Sequence, residues 1–481
     1  MKKLNFIIKY GLALLLLSFY SCESWLNVTP SDRLSEEMLF NDREGFVKAL
    51  NGVYIELNTN ELYGRNLTAG ALDVMGQYYS VASSSHAFYN YGGLVYTGND
   101  EKALFDNMWQ KCYAVIACCN TIIEKCDENK AGLSPVWKGS IKGEALALRA
   151  MLHFDMLRPL TSELDKESIP YQTNSDQTVT PLLSGSEVIG LILDDLKNAV
   201  GLLKDTDPYF VEEEFSDTDL NYRRFRMNYF AAKGLMARVQ LWGGDKEKAA
   251  ITAKEVIAEG QAEGAEFFPF VTNSEATSSN PDRVFYSEVL FGTYHSSREK
   301  LHEDLFAPTL ESTSILTLAG TARRDDLYDN ENDYRYSVWS TYNKNGTSVL
   351  YHRKFEKQDN VTASRQYMIP LIRMSEMYLI AVECCKLGEA SVYLNTFRNA
   401  RNCNSLALTE DNRINILANE YKKEMLGEGQ LFFFYKRQEM VNIPDGNQAT
   451  GTKNVELTKY VVPLPESETD QRISSTDISN E

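Results

Sequence analysis

Residues 227–259 read MNYFAAKGLMARVQLWGGDKEKAAITAKEVIAE. Apolar residues recur every three or four positions over Met227–Trp242 and again over Asp245–Glu259, on either side of Gly243-Gly244. That spacing puts one apolar stripe on each of two helices. A two-glycine connection forces the second helix to return antiparallel to the first. The same pattern extends outward along the chain. Over Glu101–Cys126 the apolar positions include Phe105, Met108, Trp109, Cys112, Val115, Ile116, Cys119, Ile122 and Ile123. Further helices are predicted over Ser140–Leu157, with Pro159 closing it, and over Ser186–Leu203, Ser375–Lys386, Glu389–Arg401 and Arg413–Met425. Leu387-Gly388 reads as another tight connection.

Within the hairpin, Ala237, Ala249 and Ala253, followed by Val256, resemble the small-residue spacing of a tetratricopeptide unit, where small side chains let paired helices approach closely. Residues 58–100 and 261–368 lack this periodicity and are rich in Asn, Ser, Asp, Gly and Tyr. Long irregular segments inside a compact protein are often functional. The expected fold is mainly α, a tetratricopeptide-like helix-pair scaffold with a large irregular, loop-rich subdomain. The scaffold would take in about residues 31–57, 101–260 and 369–437. With no Gly/Ser linker in sight, residues 22–481 read as a single domain.

Lys2 and Lys3 precede an apolar run over Gly11–Tyr20, too short to span a membrane and typical of a secretory signal. Ser21-Cys22 closes that run and resembles a bacterial lipoprotein processing site, with residues 1–21 as the leader and Cys22 as the lipidated first residue. An ordinary secretory signal with Cys22 incidental is the plain alternative. Removing Lys2, Lys3 and Lys9 takes the net charge of the 481 residues from −18 to −21. An excess of 67 Asp and Glu over 49 Lys and Arg argues against gripping phosphate backbones or anionic lipid, so no nucleic-acid partner is expected. Seven cysteines remain after Cys22: 112, 118, 119, 126, 384, 385 and 403. Cys112, Cys119 and Cys126 fall on one helix face as small core residues; a Cys385–Cys403 disulfide is an alternative for that pair.

Catalytic motifs are missing. Ser184-Gly185-Ser186-Glu187 lacks the second glycine of a nucleophile elbow, and there is no zinc-protease, P-loop or dinucleotide motif. The five histidines (86, 153, 295, 302 and 352) show no metal-ligand spacing. No cofactor and no metal are expected. Asp329-Asn330-Glu331-Asn332-Asp333 alternates oxygen ligands but lacks the glycine and glutamate of a calcium loop; it reads as a solvated acidic loop. Glu144, Arg149 and His153 read as an interhelical hydrogen-bond network, with a catalytic base as the sharper alternative.

Five stretches together resemble the SusD/RagB family of Bacteroidetes surface lipoproteins. Cys22 through Leu26-Asn27-Val28-Thr29-Pro30 follows its post-lipidation rhythm. Gly143-Glu144-Ala145 through Arg149, with His153-Phe154-Asp155-Met156-Leu157-Arg158, is similar to one family helix. Pro370-Leu371-Ile372-Arg373-Met374-Ser375-Glu376-Met377-Tyr378-Leu379-Ile380-Ala381-Val382-Glu383 is similar to another. Leu394-Asn395, Phe397-Arg398 and Arg401 come next. Glu420-Tyr421 through Glu428-Gly429, Phe434-Tyr435-Lys436-Arg437 and Val461-Val462-Pro463-Leu464-Pro465-Glu466 complete the set. The resemblance implies a non-enzymatic, lipid-anchored lid at the cell surface. It would capture oligosaccharides, or in some members peptides, and deliver them to a SusC-like TonB-dependent transporter in the outer membrane. A surface glycan hydrolase and a helical-repeat scaffold that binds only protein are the competing readings.

Tyrosine, with 27 copies beside 22 Phe and 5 Trp, offers a ring face for sugar CH groups and a hydroxyl for sugar hydroxyls. Two groups lie where the helical pattern fails. One is Tyr89-Asn90-Tyr91, with Tyr78, Tyr79 and Tyr96. The other is Tyr334-Arg335-Tyr336, Trp339, Tyr342-Asn343 and Asn345. The candidate ligand-binding residues are Tyr89, Asn90, Tyr91, Tyr336, Trp339, Tyr342 and Asn343; the helix aromatics Trp109, Tyr378 and Tyr435 read as core.

Overall fold

The computed structural model describes residues 36–472 apart from positions 162, 177, 265 and 471. The leader expected over 1–21 and the lipidation expected at Cys22 lie outside those residues. The principal helices are α1 (Arg43–Leu57), α2 (Asn99–Glu128), α3 (Pro135–Leu160), α4 (Gly185–Thr206), α5 (Tyr229–Trp242), α6 (Lys246–Gly260), α7 (Met374–Cys384), α8 (Leu387–Ala400), α9 (Arg413–Glu424) and α10 (Leu431–Arg437). α3 lies between α2 and α4, and α5 between α4 and α6. α6 then packs on α7, and α7 on α8 and α9. This is the mainly helical, pairwise scaffold expected from the spacing.

Caps set the ends of the α5–α6 hairpin. Asn228 accepts from the Ala231 amide, and Asp245 accepts from the Lys248 amide at 3.0 Å. Ala237, Ala249, Ala253 and Val256 are fully buried between the helices. Elsewhere the ends depart from the periodicity. α3 passes through Pro159 to Leu160 instead of stopping before it. The proline forfeits one donor in the last turn. The orphan carbonyls at the helix end find partners in Lys436 Nζ, which donates to Arg158 O at 2.7 Å, and in the Val462 amide, which donates to Pro159 O at 2.9 Å. Leu387-Gly388 opens α8, so the short connection from α7 is Cys385-Lys386.

Glu144, Arg149 and His153 form the interhelical network. Tyr54 donates to Glu144 at 2.6 Å, and Arg223 and Arg226 pair with the same carboxylate. Arg149 holds Asp195 through two 2.7 Å contacts, and the Gln172 amide donates to His153 Nε2 at 2.9 Å. Burial pushes the His153 imidazole down to about 3, so it stays neutral and serves as a fixed acceptor. Cys112, Cys119 and Cys126 are buried on the inner face of α2. All seven described cysteines are free, including Cys385 and Cys403; Cys118 faces solvent.

Among the described residues the strands form four antiparallel pairs: β1 (Glu167–Pro170) with β2 (Leu182–Ser184), β3 (Val289–Tyr294) with β6 (Met368–Arg373), β4 (Trp339–Lys344) with β5 (Thr347–His352), and β7 (Asn442–Pro444) with β8 (Thr452–Asn454). The β3–β6 pair is almost wholly buried and returns the long irregular stretch to the scaffold just before α7.

A charge network fastens this stretch down. Arg401, at the end of α8, grips Glu288 with contacts of 2.8 and 2.6 Å and Glu424 with contacts of 3.0 and 2.7 Å. Arg373 reaches Glu424 and Glu428. Arg335 reaches Asp333, Glu420 and Glu424, and Lys354 reaches Glu428. Arg398 and Lys423 pair with Glu420 and Asp329. Six cations thus face six carboxylates. Burial alone would raise the pKa of Glu424, but Arg401, then Arg373 and Arg335, hold its carboxyl well below the usual range. Asp329 and Asp333 of the acidic loop are therefore structural ion-pair partners.

Removing one partner from such a cluster leaves buried charge uncompensated. Arg401→Ala is expected to lower stability by about 3–5 kcal/mol, read as a drop in the denaturant midpoint. Arg401→Lys, which keeps the charge but not the planar fork, should fall between it and the wild type. A wild-type midpoint for Arg401→Ala would show that the cluster is dispensable.

Candidate functional site

The expected site residues divide by depth. Tyr89, in the helical turn Tyr89–Gly92, is 43% exposed and Tyr342, on β4, is 44% exposed. Asn343 is also exposed, and its Oδ1 accepts from the Gly346 amide at 2.7 Å. That contact organises the hairpin turn in which Asn345 and Gly346 both have positive φ, the turn an Asn-Gly pair favours. Asn90 is half-buried and donates to Glu101 at 3.2 Å. Tyr336 is half-buried between Tyr328, 5.3 Å away, and the Arg324 guanidinium, 4.7 Å from its ring centre. Its hydroxyl donates to Asp325 at 3.2 Å.

Two of the residues are in the core. Tyr91 packs against Phe88 and Phe105, and Trp339 packs against His352. Neither ring face is open in this structure, because both residues fill apolar space beneath the loops. Tyr78, Tyr79 and Tyr96 are buried too, and their hydroxyls bond to Tyr421 O, Asp73 and Lys459 O. Arg335 belongs to the charge network. Trp109, Tyr378 and Tyr435 are core, as their helical positions implied.

Backbone contacts bring the two irregular stretches together. The Ser80 amide donates to Thr317 O at 2.7 Å; within the second stretch, Thr317 Oγ1 donates to Leu350 O at 2.7 Å. Asp73 ties the first stretch to the turn after α9: it accepts from the amides of Gly427 at 2.6 Å and Gly429 at 2.9 Å. Both glycines have positive φ, and a Cβ on Gly429 would lie 2.4 Å from Leu67 O.

At this junction lies a cavity of ≈ 210 Å³. Gln77 and Tyr78 come from the first stretch, and Leu318, Arg323, Asp326 and Leu327 from the second. Lys422 of α9 and Leu431 of α10 form the scaffold side, and Pro444, Gly451 and Thr452 the β7–β8 side. The short helix Thr321–Leu327 serves two surfaces. Arg323, Asp326 and Leu327, at positions i, i+3 and i+4, line the cavity, while Arg324 and Asp325 meet Tyr336. Gln77 adopts φ 63°, an uncommon left-handed conformation for a residue other than glycine. Apolar walls with a few convergent polar groups suit a small polar ligand. A larger groove of ≈ 450 Å³ runs beside Tyr96, Phe105 and Val462–Glu466, but its Lys102 and Glu466 already pair with each other at 2.6 Å.

Gln77, Arg323, Asp326 and Lys422 were not among the residues expected from sequence. The available signal was the Arg323-Arg324-Asp325-Asp326 charge run inside an irregular stretch. Among the described residues no group of three or more His, Cys, Asp or Glu is placed to hold a metal ion.

Two family models match. Residues 24–241 fit one described as starch-binding associating with outer membrane, and residues 324–473 fit that of the SusD family. The chain belongs to the SusD/RagB family. Its similarity to the SusD-like protein P2 of Formosa agariphila is 22% identity over 96% of each chain. A crystal structure of a SusD-like carbohydrate-binding protein from Bacteroides vulgatus has the same fold. Its TM-score is 0.69 at 20% identity, covering 89% of this chain and 96% of that one. A laminarin-binding SusD-like protein gives 0.63 at 16% identity, covering 89% and 97%. Among the described residues no helix is long and apolar enough to cross a membrane.

Depth predicts how the aromatic residues of this SusD-family chain respond to truncation. Trp339→Ala is expected to destabilise by about 3–5 kcal/mol through the cavity it leaves. Tyr342→Ala should stay within about 0.5 kcal/mol of wild type. Thermal denaturation of both variants checks this, and equal losses would contradict the burial assignment.

Proposed function

We propose that this SusD/RagB-family protein is a cell-surface binding protein, lipid-anchored through Cys22, that captures oligosaccharides and delivers them to a SusC-like TonB-dependent outer-membrane transporter. Peptides are the alternative ligand class. The observation that carries the reading is the junction cavity. Two irregular stretches of a family-typical fold converge there on a small amphipathic space, held by a rigid helical scaffold. Among the described residues the cavity has Asp326 as its one lining carboxylate, whereas glycoside hydrolysis requires a pair about 5–10 Å apart. Binding without turnover fits that arrangement. Tyr89 and Tyr342 add exposed rings at the surface of the same irregular stretches.

The test is calorimetry of the purified protein against a panel of oligosaccharides and peptides, with product analysis after long incubation. Saturable binding of an oligosaccharide with no cleavage is expected. Cleavage, or binding to protein partners alone, would overturn the reading. In the same study Cys22→Ala should move the protein from the membrane fraction to the soluble one; continued membrane retention would contradict the anchor.

A further inference from the structure

We propose that the junction cavity binds an anionic group, a carboxylate or a sulfate, carried by an acidic sugar of the captured glycan. This rests on the oligosaccharide-binding reading above and names the chemical class of ligand.

The argument starts from charge. Carboxylates outnumber cations 67 to 49 in this chain, so a buried cation has no shortage of internal partners. Other buried arginines use them. Arg223 holds Asp207 and Glu144, and Arg238 holds Glu376. Arg323 is 7% exposed, yet among the described residues it has no hydrogen-bond or ion-pair partner. Lys422, half-buried in the same cavity wall, has none among them either. Desolvating a cation without a partner is expensive, and two side by side repel each other. Burial first, and then the neighbouring Arg323 charge, pull the Lys422 ammonium down to about 8, against the opposite pull of the Asp326 carboxylate. Two cations against the one carboxylate of Asp326 leave the cavity wall with an excess of one positive charge, which an arriving anion would balance.

The other lining groups bear on what carries the anion. Asp326 also lines the cavity without an ion pair among the described residues, and its carboxylate can accept from sugar hydroxyls. Thr452 can donate or accept. Leu327 and Leu431 give an apolar wall for ring CH groups. At ≈ 210 Å³ the cavity is smaller than the roughly 300 Å³ at the low end for drug-sized ligands, which suits one acidic residue of a longer chain.

The experiment is calorimetry on the intact protein at about 150 mM salt, where exposed charges are screened beyond about 8 Å. The probes are a neutral maltooligosaccharide, an oligogalacturonate, a sulfated galactan oligosaccharide and an acidic peptide. Wild type should bind one of the two acidic oligosaccharides at least about tenfold tighter than the neutral one, a difference of about 1.4 kcal/mol. The uronate and sulfate arms identify the anion. In Arg323→Gln/Lys422→Gln the acidic-to-neutral affinity ratio should fall to near one. Asp326→Asn, which removes a repelling charge, should raise that ratio, a gain that misfolding cannot mimic. Neutral oligosaccharide bound as tightly as acidic would overturn this inference and leave the oligosaccharide reading standing. So would an unchanged ratio in both variants. Binding of the acidic peptide alone, or of no oligosaccharide, would overturn both.

Discussion

The structure depends on a buried, charge-balanced cluster centred on Glu424. Arg401, Arg373 and Arg335 converge on that carboxylate, and Glu288, Glu420, Glu428, Asp329 and Asp333 complete the outer shell with Arg398, Lys423 and Lys354. Taking so many ions out of water is tolerable only when every charge meets an opposite one in good geometry. The planar forks of the arginines satisfy that requirement bidentately. Such a cluster accepts one arrangement of the chain and penalises others, which is what a long segment without regular hydrogen-bond ladders needs.

Its members come from both architectural parts. Glu288, Asp329, Asp333, Arg335 and Lys354 lie in the irregular stretch, while Arg373, Arg398, Arg401, Glu420, Lys423, Glu424 and Glu428 lie on or beside scaffold elements. Loops are normally the mobile part of a protein. Here the cluster, the β3–β6 pair and the Asp73 contacts to the Gly427 and Gly429 amides hold the loops in place. The junction cavity lies next to these restraints, with Lys422 beside Lys423 on α9. The helical pairs supply the frame, and the charge cluster ties the irregular stretch to it.

The scaffold was legible because helix periodicity is local. The α5–α6 hairpin, the Cys face of α2 and the Glu144–Arg149–His153 network are all visible as spacings along the chain. Helix ends were less so, since Pro159 is accommodated by partners as distant as Lys436 and Val462. The junction cavity was hardly legible. Trp339 and Tyr91 share loop composition with Tyr342 and Tyr89, and only tertiary packing puts the first two inside and the second two outside. Arg335 sits within the second aromatic group of the sequence, but its partners are carboxylates up to 89 positions away. The cavity residues come from segments far apart in the chain, and no local pattern announces such a meeting.

Native-state hydrogen exchange of wild type and Glu424→Gln tests the central claim most directly, because it reports opening segment by segment. If the cluster couples the irregular stretch to the scaffold, protection should fall together in α9, in β3 and β6, and in residues 329–338. Loss confined to α9, with the irregular stretch as protected as in wild type, would contradict the account.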